Sequence, residues 1–337
     1  MRVGDNPEKA QNRLETNSYH RIVIPVYIPN LSDNYFKDAL KIFELCFQSL
    51  YNTIHSKTRI TLVNNGCCEE VSKYLLELYE SYELVDQLLN SKINLGKVNA
   101  LYSAIKSNLE PLITISDADV MFLPHWQECV ENIHSEFPEA GMVSPVPTSI
   151  GYKGEFLYTT ISYALTRGQL KFSRVIHPEG LEKFEQSIGR KMYNRAHKKK
   201  YLTISKNNVN AVLGCGHFAA TYKAEVFEHA PSEICQLKIV GNSEKNYLDR
   251  PNDIGGFLRL ATDGNYAYHL GNVYETWMGK QMDEIKNTKN QNITLDSLPN
   301  SKPLKKFHYI IGKICHYILF KKLKSVYFRL KGMKYEY

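Results

Sequence analysis

Apolar residues along the first third of the chain fall into two alternating patterns. Short continuous runs, Arg21-Ile-Val-Ile-Pro-Val-Tyr27, Arg59-Ile-Thr-Leu-Val63 and Pro111-Leu-Ile-Thr-Ile-Ser116, read as strands buried on both faces. Turn-forming residues stop each of them: Pro29-Asn30, Asn64-Asn65-Gly66 and Asp117-Ala-Asp119. Between these runs apolar side chains recur at helical spacing. One set is Phe36, Ala39, Leu40, Phe43, Phe47 and Leu50, and another is Val71, Leu75, Leu78, Tyr79 and Tyr82. A third helix is expected from Asn94-Leu-Gly-Lys-Val-Asn-Ala-Leu101 to Ser107. Strands alternating with helices at this spacing predict βαβ units, and hence an α/β fold with a mostly parallel central sheet flanked by helices. Ligands of such sheets lie beyond the carboxyl ends of the strands, where Tyr27, Asn64-Asn65, Asp117 and Asp119 fall.

After Asp119 the pattern loosens. Trp126 to Phe137 reads as a helix and Gly141-Met-Val-Ser-Pro-Val146 as a strand. Residues 151–210 are basic and polar and resist assignment, apart from helix around Arg190-Lys191 and His197-Lys-Lys-Lys200. Val212 to Thr221 reads as a strand of small residues. Asp249-Arg-Pro-Asn-Asp253 is expected to precede a helix over Ile254 to Thr262, with a last strand over Gly264 to Leu270. Residues 281–302 read as a polar linker, and 303–330 as one or two amphipathic helices.

Composition adds constraints. With 337 residues, 43% apolar and 23% charged, the chain has the make-up of a globular protein with room for a substantial core. The net charge of +7 is unevenly placed: from Lys302 onward there are ten Lys/Arg and one acid, Glu336, so the remainder is close to neutral. That excess belongs to a tail and not to a basic groove across the fold. The 23 tyrosines, against 14 Phe and 2 Trp, suit sugar-binding surfaces, and equally suit compositional drift in a chain rich in Lys, Asn and Ile. Seven cysteines form no CxxC pair and no zinc-type ladder. The amino terminus lacks the apolar core of a signal peptide, and no run reaches the ~18 apolar residues of a membrane span. A cytosolic setting is therefore expected, in which the sequon Asn292-Ile-Thr294 carries no meaning.

Two carboxylates one residue apart at a strand end suit a hard divalent cation held between protein and a diphosphate. In an extended Asp117-Ala-Asp119 both side chains can point the same way.

In order and spacing, Ile24-Pro-Val-Tyr27, Leu62-Val-Asn-Asn-Gly66, Asn94-Leu-Gly-Lys-Val-Asn-Ala100, Ile115-Ser-Asp-Ala-Asp119, Gly214-Cys-Gly-His-Phe-Ala219 and Asn252-Asp253 with Arg259 resemble the inverting family 2 glycosyltransferases of the GT-A fold, the type that builds bacterial polysaccharides and glycans. The likeness spans roughly residues 20–275. It implies that Pro25, Val26 and Tyr27 line a base pocket, that Asn65 lies near the base, and that Gly96 and Lys97 lie by the nucleotide. It implies further that Asp117 approaches ribose or metal, that Asp119 ligates Mn²⁺ or Mg²⁺, and that Asp253 is the catalytic base. Inverting transfer needs such a carboxylate to take the acceptor proton. Asp253 also precedes an expected helix, so it is a base, an N-cap or both. Family members often supply a further metal-ligating His after the last strand. Gly271-Asn-Val-Tyr-Glu-Thr-Trp277 has none, which leaves His269 or Glu275 as substitutes. His217 is a candidate for the acceptor side.

The implied organisation is a flexible arm over 1–19 and a GT-A domain over 20–280. Within that domain the nucleotide part is about 20–120 and the acceptor part about 121–280. Residues 281–337 form a linker and a basic amphipathic helical tail. The expected partners are a nucleotide-sugar donor, UDP-linked by preference, and a glycan or lipid-linked glycan acceptor. The tail is expected either to lie on the cytoplasmic face of a membrane as a peripheral anchor, or to pack on the domain or on a second subunit of a homodimer. A sugar nucleotidyltransferase would carry a glycine-rich basic loop where Tyr27-Ile-Pro-Asn-Leu31 stands. A non-enzymatic basic binding protein for nucleic acid fits poorly with the near-neutral remainder and the lack of a nucleic-acid motif.

Overall fold

The computed structural model describes residues 3–6, 9, 13–239, 241–288, 293–333 and 337; the other residues of the amino-terminal arm, Asn292 of the sequon and Glu336 lie outside them. The first half is built as the periodicity predicts, with one further strand, Val85–Ser91. Strand β1 (His20–Val26) leads to helix α1 (Ala39–Tyr51), β2 (Thr58–Asn65) to α2 (Glu69–Ser81), β3 (Val85–Ser91) to α3 (Lys97–Ile105), and then β4 (Leu112–Ser116) follows. The second half contains β5 (Val120–Phe122), α4 (Trp126–Glu136), β6 (Ala140–Ser144), α5 (Tyr158–Thr166), β7 (Lys171–Arg174), α6 (Pro178–Ser187), β8 (Lys200–Lys206), β9 (Val209–Leu213), β10 (Ala219–Lys223), α7 (Arg250–Ile254), β11 (Leu258–Thr262), β12 (Ala267–His269) and α8 (Thr276–Asn287). The chain ends in α9 (Lys306–Cys315), a π-helical turn at His316–Lys322 and α10 (Lys324–Leu330).

Ten strands form one sheet in the order β3-β2-β1-β4-β10-β6-β11-β9-β8-β7, and β12 pairs with β5 beside it. The β3-β2-β1-β4 half is parallel, while beyond β4 the pairs are antiparallel except β6 with β11. Alternation along β1 sends Ile22, Ile24 and Val26 into one apolar core and Val23 into the other, so both faces of the sheet are covered. Pairing of β1 with β4 ends at Val23 and does not extend past Pro25, a residue without an amide hydrogen.

The stretch 85–91, which no periodicity marks, is a strand at the sheet edge, its apolar residues interrupted by Asp86, Gln87 and Asn90. Four expectations change. The strand expected over Val212 to Thr221 is divided between β9 and β10, which are not neighbours in the sheet. Residues 190–199 are not helical, and Lys200 opens β8. The helix expected over 254–262 is instead the short α7 followed by β11. Gly256 makes the turn between them with a positive φ of 83°, and a Cβ there would come within 2.2 Å of the Leu304 carbonyl. Finally, the expected linker over 281–302 begins inside α8.

The tail packs on the sheet domain. Gly312 of α9 lies so close to α5 that a Cβ would fall 1.8 Å from the Tyr158 carbonyl oxygen. His308 Nδ1 lies 2.8 Å from Ser162 Oγ, and the rings of Phe320, Phe328 and Tyr337 gather on Tyr152. The Tyr337 hydroxyl donates to the carbonyls of Ser149 and Lys200, both at 2.9 Å. Because only hydrogen fits at Gly312, Gly312→Ala is expected to lower stability by about 1–3 kcal/mol, read as a shift in urea midpoint. An unchanged midpoint would show that α9 does not rest on α5.

Candidate active site

The parallel strands β1, β2 and β4 present their carboxyl ends on one side, and β10, antiparallel to β4, places its preceding loop there too. A cleft of about 510 Å³ opens at this edge. Among the expected residues, Pro25, Tyr27, Asn65, Lys97, Asp117 and Asp119 all line it. Tyr27 is 41% exposed and meets Phe36 edge-on at 6.2 Å, with Tyr35 beyond, so the rim offers aromatic faces to a planar ligand. Asn65 ties the floor together. Its Oδ1 accepts from the Leu95 amide at 2.8 Å and its Nδ2 donates to Asn94 at 3.2 Å.

Two of the residues expected at the nucleotide do not face the cleft. Val26 is fully buried in the core beneath, because strand alternation that aims Pro25 and Tyr27 one way aims Val26 the other. Gly96 sits under residues 237–238 with φ of 82°; a Cβ would meet the Leu237 carbonyl at 2.8 Å. It is glycine to let that segment close, and the Lys97 amide then donates to the Lys238 carbonyl at 2.9 Å. Lys97 opens α3, so its ammonium and the helix amino terminus favour negative charge at the same point.

Backbone hydrogen bonds set the two aspartates from both sides. The Asp117 amide donates to the Phe218 carbonyl at 2.7 Å, and the Asp119 carbonyl accepts from the Leu270 amide at 2.7 Å. Asp119 Oδ2 lies 3.4 Å from His269 Nε2, brought there by the pairing of β12 with β5, while Asp119 Oδ1 is buried with no hydrogen-bond partner. Burial pushes the Asp119 carboxyl up to about 6; His269 opposes this and Asp117 adds to it. His269 Nδ1 is engaged with Ser187 Oγ at 2.9 Å, which leaves Nε2 facing the aspartate. An unpartnered buried oxygen beside an oriented imidazole is a donor set that fits Mn²⁺ or Mg²⁺. Glu275, the other substitute, is exposed and its side chain accepts from the Met278 amide at the start of α8.

A chain of charges that the motifs did not announce continues from Asp117. Lys97 Nζ pairs with both Asp117 and Glu244. Glu244 Oε2 lies 3.3 Å from His217 Nε2, His217 Nδ1 lies 3.4 Å from Asp249, and Asp249 pairs with Arg259 at 3.0 Å. Burial lowers the proton affinities of Lys97 and His217, but their carboxylate neighbours outweigh it, raising Lys97 and taking His217 to about 9. Burial likewise raises Glu244, yet His217 and Lys97 hold it down at about 2. A π-helical turn at Lys245–Asp249 separates the two acids that flank His217, a spacing no simple periodicity shows.

Asp253 stands apart from this cleft. It is 1% exposed, its Oδ1 accepts from the Thr159 amide at 2.7 Å, and its Oδ2 accepts from the Tyr158 amide at 3.0 Å. It thus caps α5, a helix far from it in sequence, and both oxygens are committed. Burial raises it to about 6 against those hydrogen bonds. The expected base at Asp253 thus does not line the cleft, and its carboxylate is taken up at the start of α5.

Among the described residues His20, His55 and Glu131 also place possible metal donors together. There the nitrogens and oxygens already satisfy one another: His20 Nδ1 meets Glu131 at 2.6 Å, His55 Nε2 meets it at 3.0 Å, and Tyr19 donates to it at 2.8 Å. This is a closed internal network.

No family model matches the chain, and no curated protein matches its sequence. Among solved structures, mannosyltransferase PcManGT from Pyrobaculum calidifontis, in complex with GDP-Man and Mn²⁺, is similar with a TM-score of 0.44 and 12% identity over 97% of this chain and 81% of that one. TarS of S. aureus is similar with a TM-score of 0.42 and 10% identity over 91% of this chain and 44% of TarS. At these values the likeness carries no weight for function.

If Asp119 and His269 form the cation site, Mn²⁺ alone raises the melting temperature by mass action. Asp119→Asn is expected to abolish that rise while the metal-free variant melts at or above wild type, since a carboxylate oxygen without a partner has been removed. An equal Mn²⁺-dependent rise in the variant would place the metal elsewhere.

Proposed function

We propose that this chain is a metal-dependent glycosyltransferase, moving a sugar from a nucleotide-sugar donor to a hydroxyl of a glycan or lipid-linked glycan with inversion. The observation that carries the reading is Asp119: a buried carboxylate with an unpartnered oxygen, facing an oriented His269, in the same cleft as a lysine at a helix amino terminus and an aromatic rim. The rim suits a nucleoside base, with a UDP-sugar the first donor to test. The start of α3 with Lys97 suits a diphosphate. A divalent cation held by Asp119 and His269, with Asp117 beside them, would stabilise charge developing on the leaving diphosphate.

We assign the base to Glu244 in place of Asp253. Glu244 pairs with Lys97 of the cleft lining, is neither at the cation site nor sealed in the core, and is held in place by His217. In the ligand-free state Lys97 keeps it a weak base. When a diphosphate draws the lysine away, Glu244 loses a positive neighbour and its proton affinity rises toward what proton abstraction requires. The imidazolium of His217, backed by Asp249 and Arg259, orients the carboxylate.

Two variants assayed for nucleoside diphosphate release separate the candidates. Glu244→Gln is expected to lower turnover by about 10²–10⁴-fold with little change in melting temperature. Asp253→Asn is expected to keep turnover and to lose about 1–3 kcal/mol of stability, because an amide NH₂ would face an N–H donor. Full activity in Glu244→Gln, with inactivity in a folded Asp253→Asn, would return the base to Asp253. Release of pyrophosphate instead of nucleoside diphosphate would overturn the reaction class.

A further inference from the structure

The helical tail has two unlike faces. The inner one, with His308, Gly312, Phe320 and Phe328, is buried on the domain. The outer one carries Phe307, Ile310, Ile314, Tyr317, Val326 and Leu330, each 49–81% exposed. Six large apolar side chains on one short stretch form a surface that a solvated helix does not need. Between residues 302 and 333 there are nine Lys/Arg and no Asp or Glu, and among the described residues none of the nine pairs with an acidic side chain.

We infer that this outer face is a docking surface for an anionic lipid bilayer. Apolar residues backed by cations match a membrane interface, where acyl chains meet the first and acidic headgroups the second. No helix among the described residues is long and apolar enough to cross a membrane, so the tail lies along the surface. A second copy of the chain is a poorer occupant, since apposing the same face would bring nine cations against nine. The inner face fixes the orientation: α9 is held on α5 by the Gly312 contact, so the apolar ridge is presented rigidly and does not have to fold on arrival. The surface is independent of which reaction the cleft performs.

The test uses the full chain and sedimented vesicles of phosphatidylcholine, with and without phosphatidylglycerol. Wild type is expected to bind only the anionic vesicles, and less as salt rises. The Ile310→Glu/Ile314→Glu/Val326→Glu variant changes exposed positions only. It is expected to keep its melting temperature and to lose ~10-fold or more in vesicle affinity. A single Ile314→Trp reporter should shift its emission to the blue when anionic vesicles are added. Equal binding to both vesicle types, undiminished binding by the triple variant, or a reporter unmoved by bound vesicles would overturn the inference. So would a wild-type dimer that the triple variant abolishes without any vesicle binding, which would make the face a contact between copies.

Discussion

The site depends on where β4 stops. On one side β4 pairs in parallel with β1 as far as Ile115, and on the other in antiparallel with β10 as far as Ser116; there the chain turns out of the sheet. The next three residues would be an unsupported loop but for two main-chain bonds, from Asp117 to Phe218 and from Leu270 to Asp119. Those bonds carry the Asp117 and Asp119 carboxylates to the end of a sheet whose interior cannot hold them. They also bring along the loop with His217 and the strand with His269, so the site assembles from segments more than a hundred residues apart in sequence.

Concentrating carboxylates this way has an electrostatic cost, and the structure shows how it is offset. Asp117 and Glu244 share Lys97, Glu244 and Asp249 share His217, and Asp249 is neutralised by Arg259. Asp119 pairs only with His269 among the described residues, and burial pushes its carboxyl up to about 6. The uneven compensation is informative. Structural ion pairs are completed within a protein, whereas a site built for a ligand is left short of charge that the ligand supplies.

Much of the first half was legible from apolar runs and turn residues, because strands covered on both faces leave uninterrupted signals. β3 was not, since an edge strand with Asp86, Gln87 and Asn90 breaks the run. Asp117 and Asp119 were legible as a pair, and the cleft brings them together with Tyr27, Asn65 and Lys97. Val26 was misplaced although period-two alternation already separates it from Pro25 and Tyr27. The 254–262 segment hid its strand behind a short helix, with Gly255-Gly256 the available signal that helix could not continue. Glu244 carried no local mark at all: its meaning comes from Lys97 and His217, which only the folded chain puts beside it. For the tail, the packing reading describes the inner face, and the membrane reading is carried forward as our inference about the outer one.

The central claim is that a cation and a nucleoside diphosphate share the end of β4, and their linkage tests it most directly. Each must then raise the other's affinity by the same factor. Titration calorimetry of UDP into the protein, with Mn²⁺ and then with chelator, is expected to show tight binding only with the metal, and Mn²⁺ should bind more tightly by an equal factor when UDP is present. The same UDP affinity with and without metal would contradict the account.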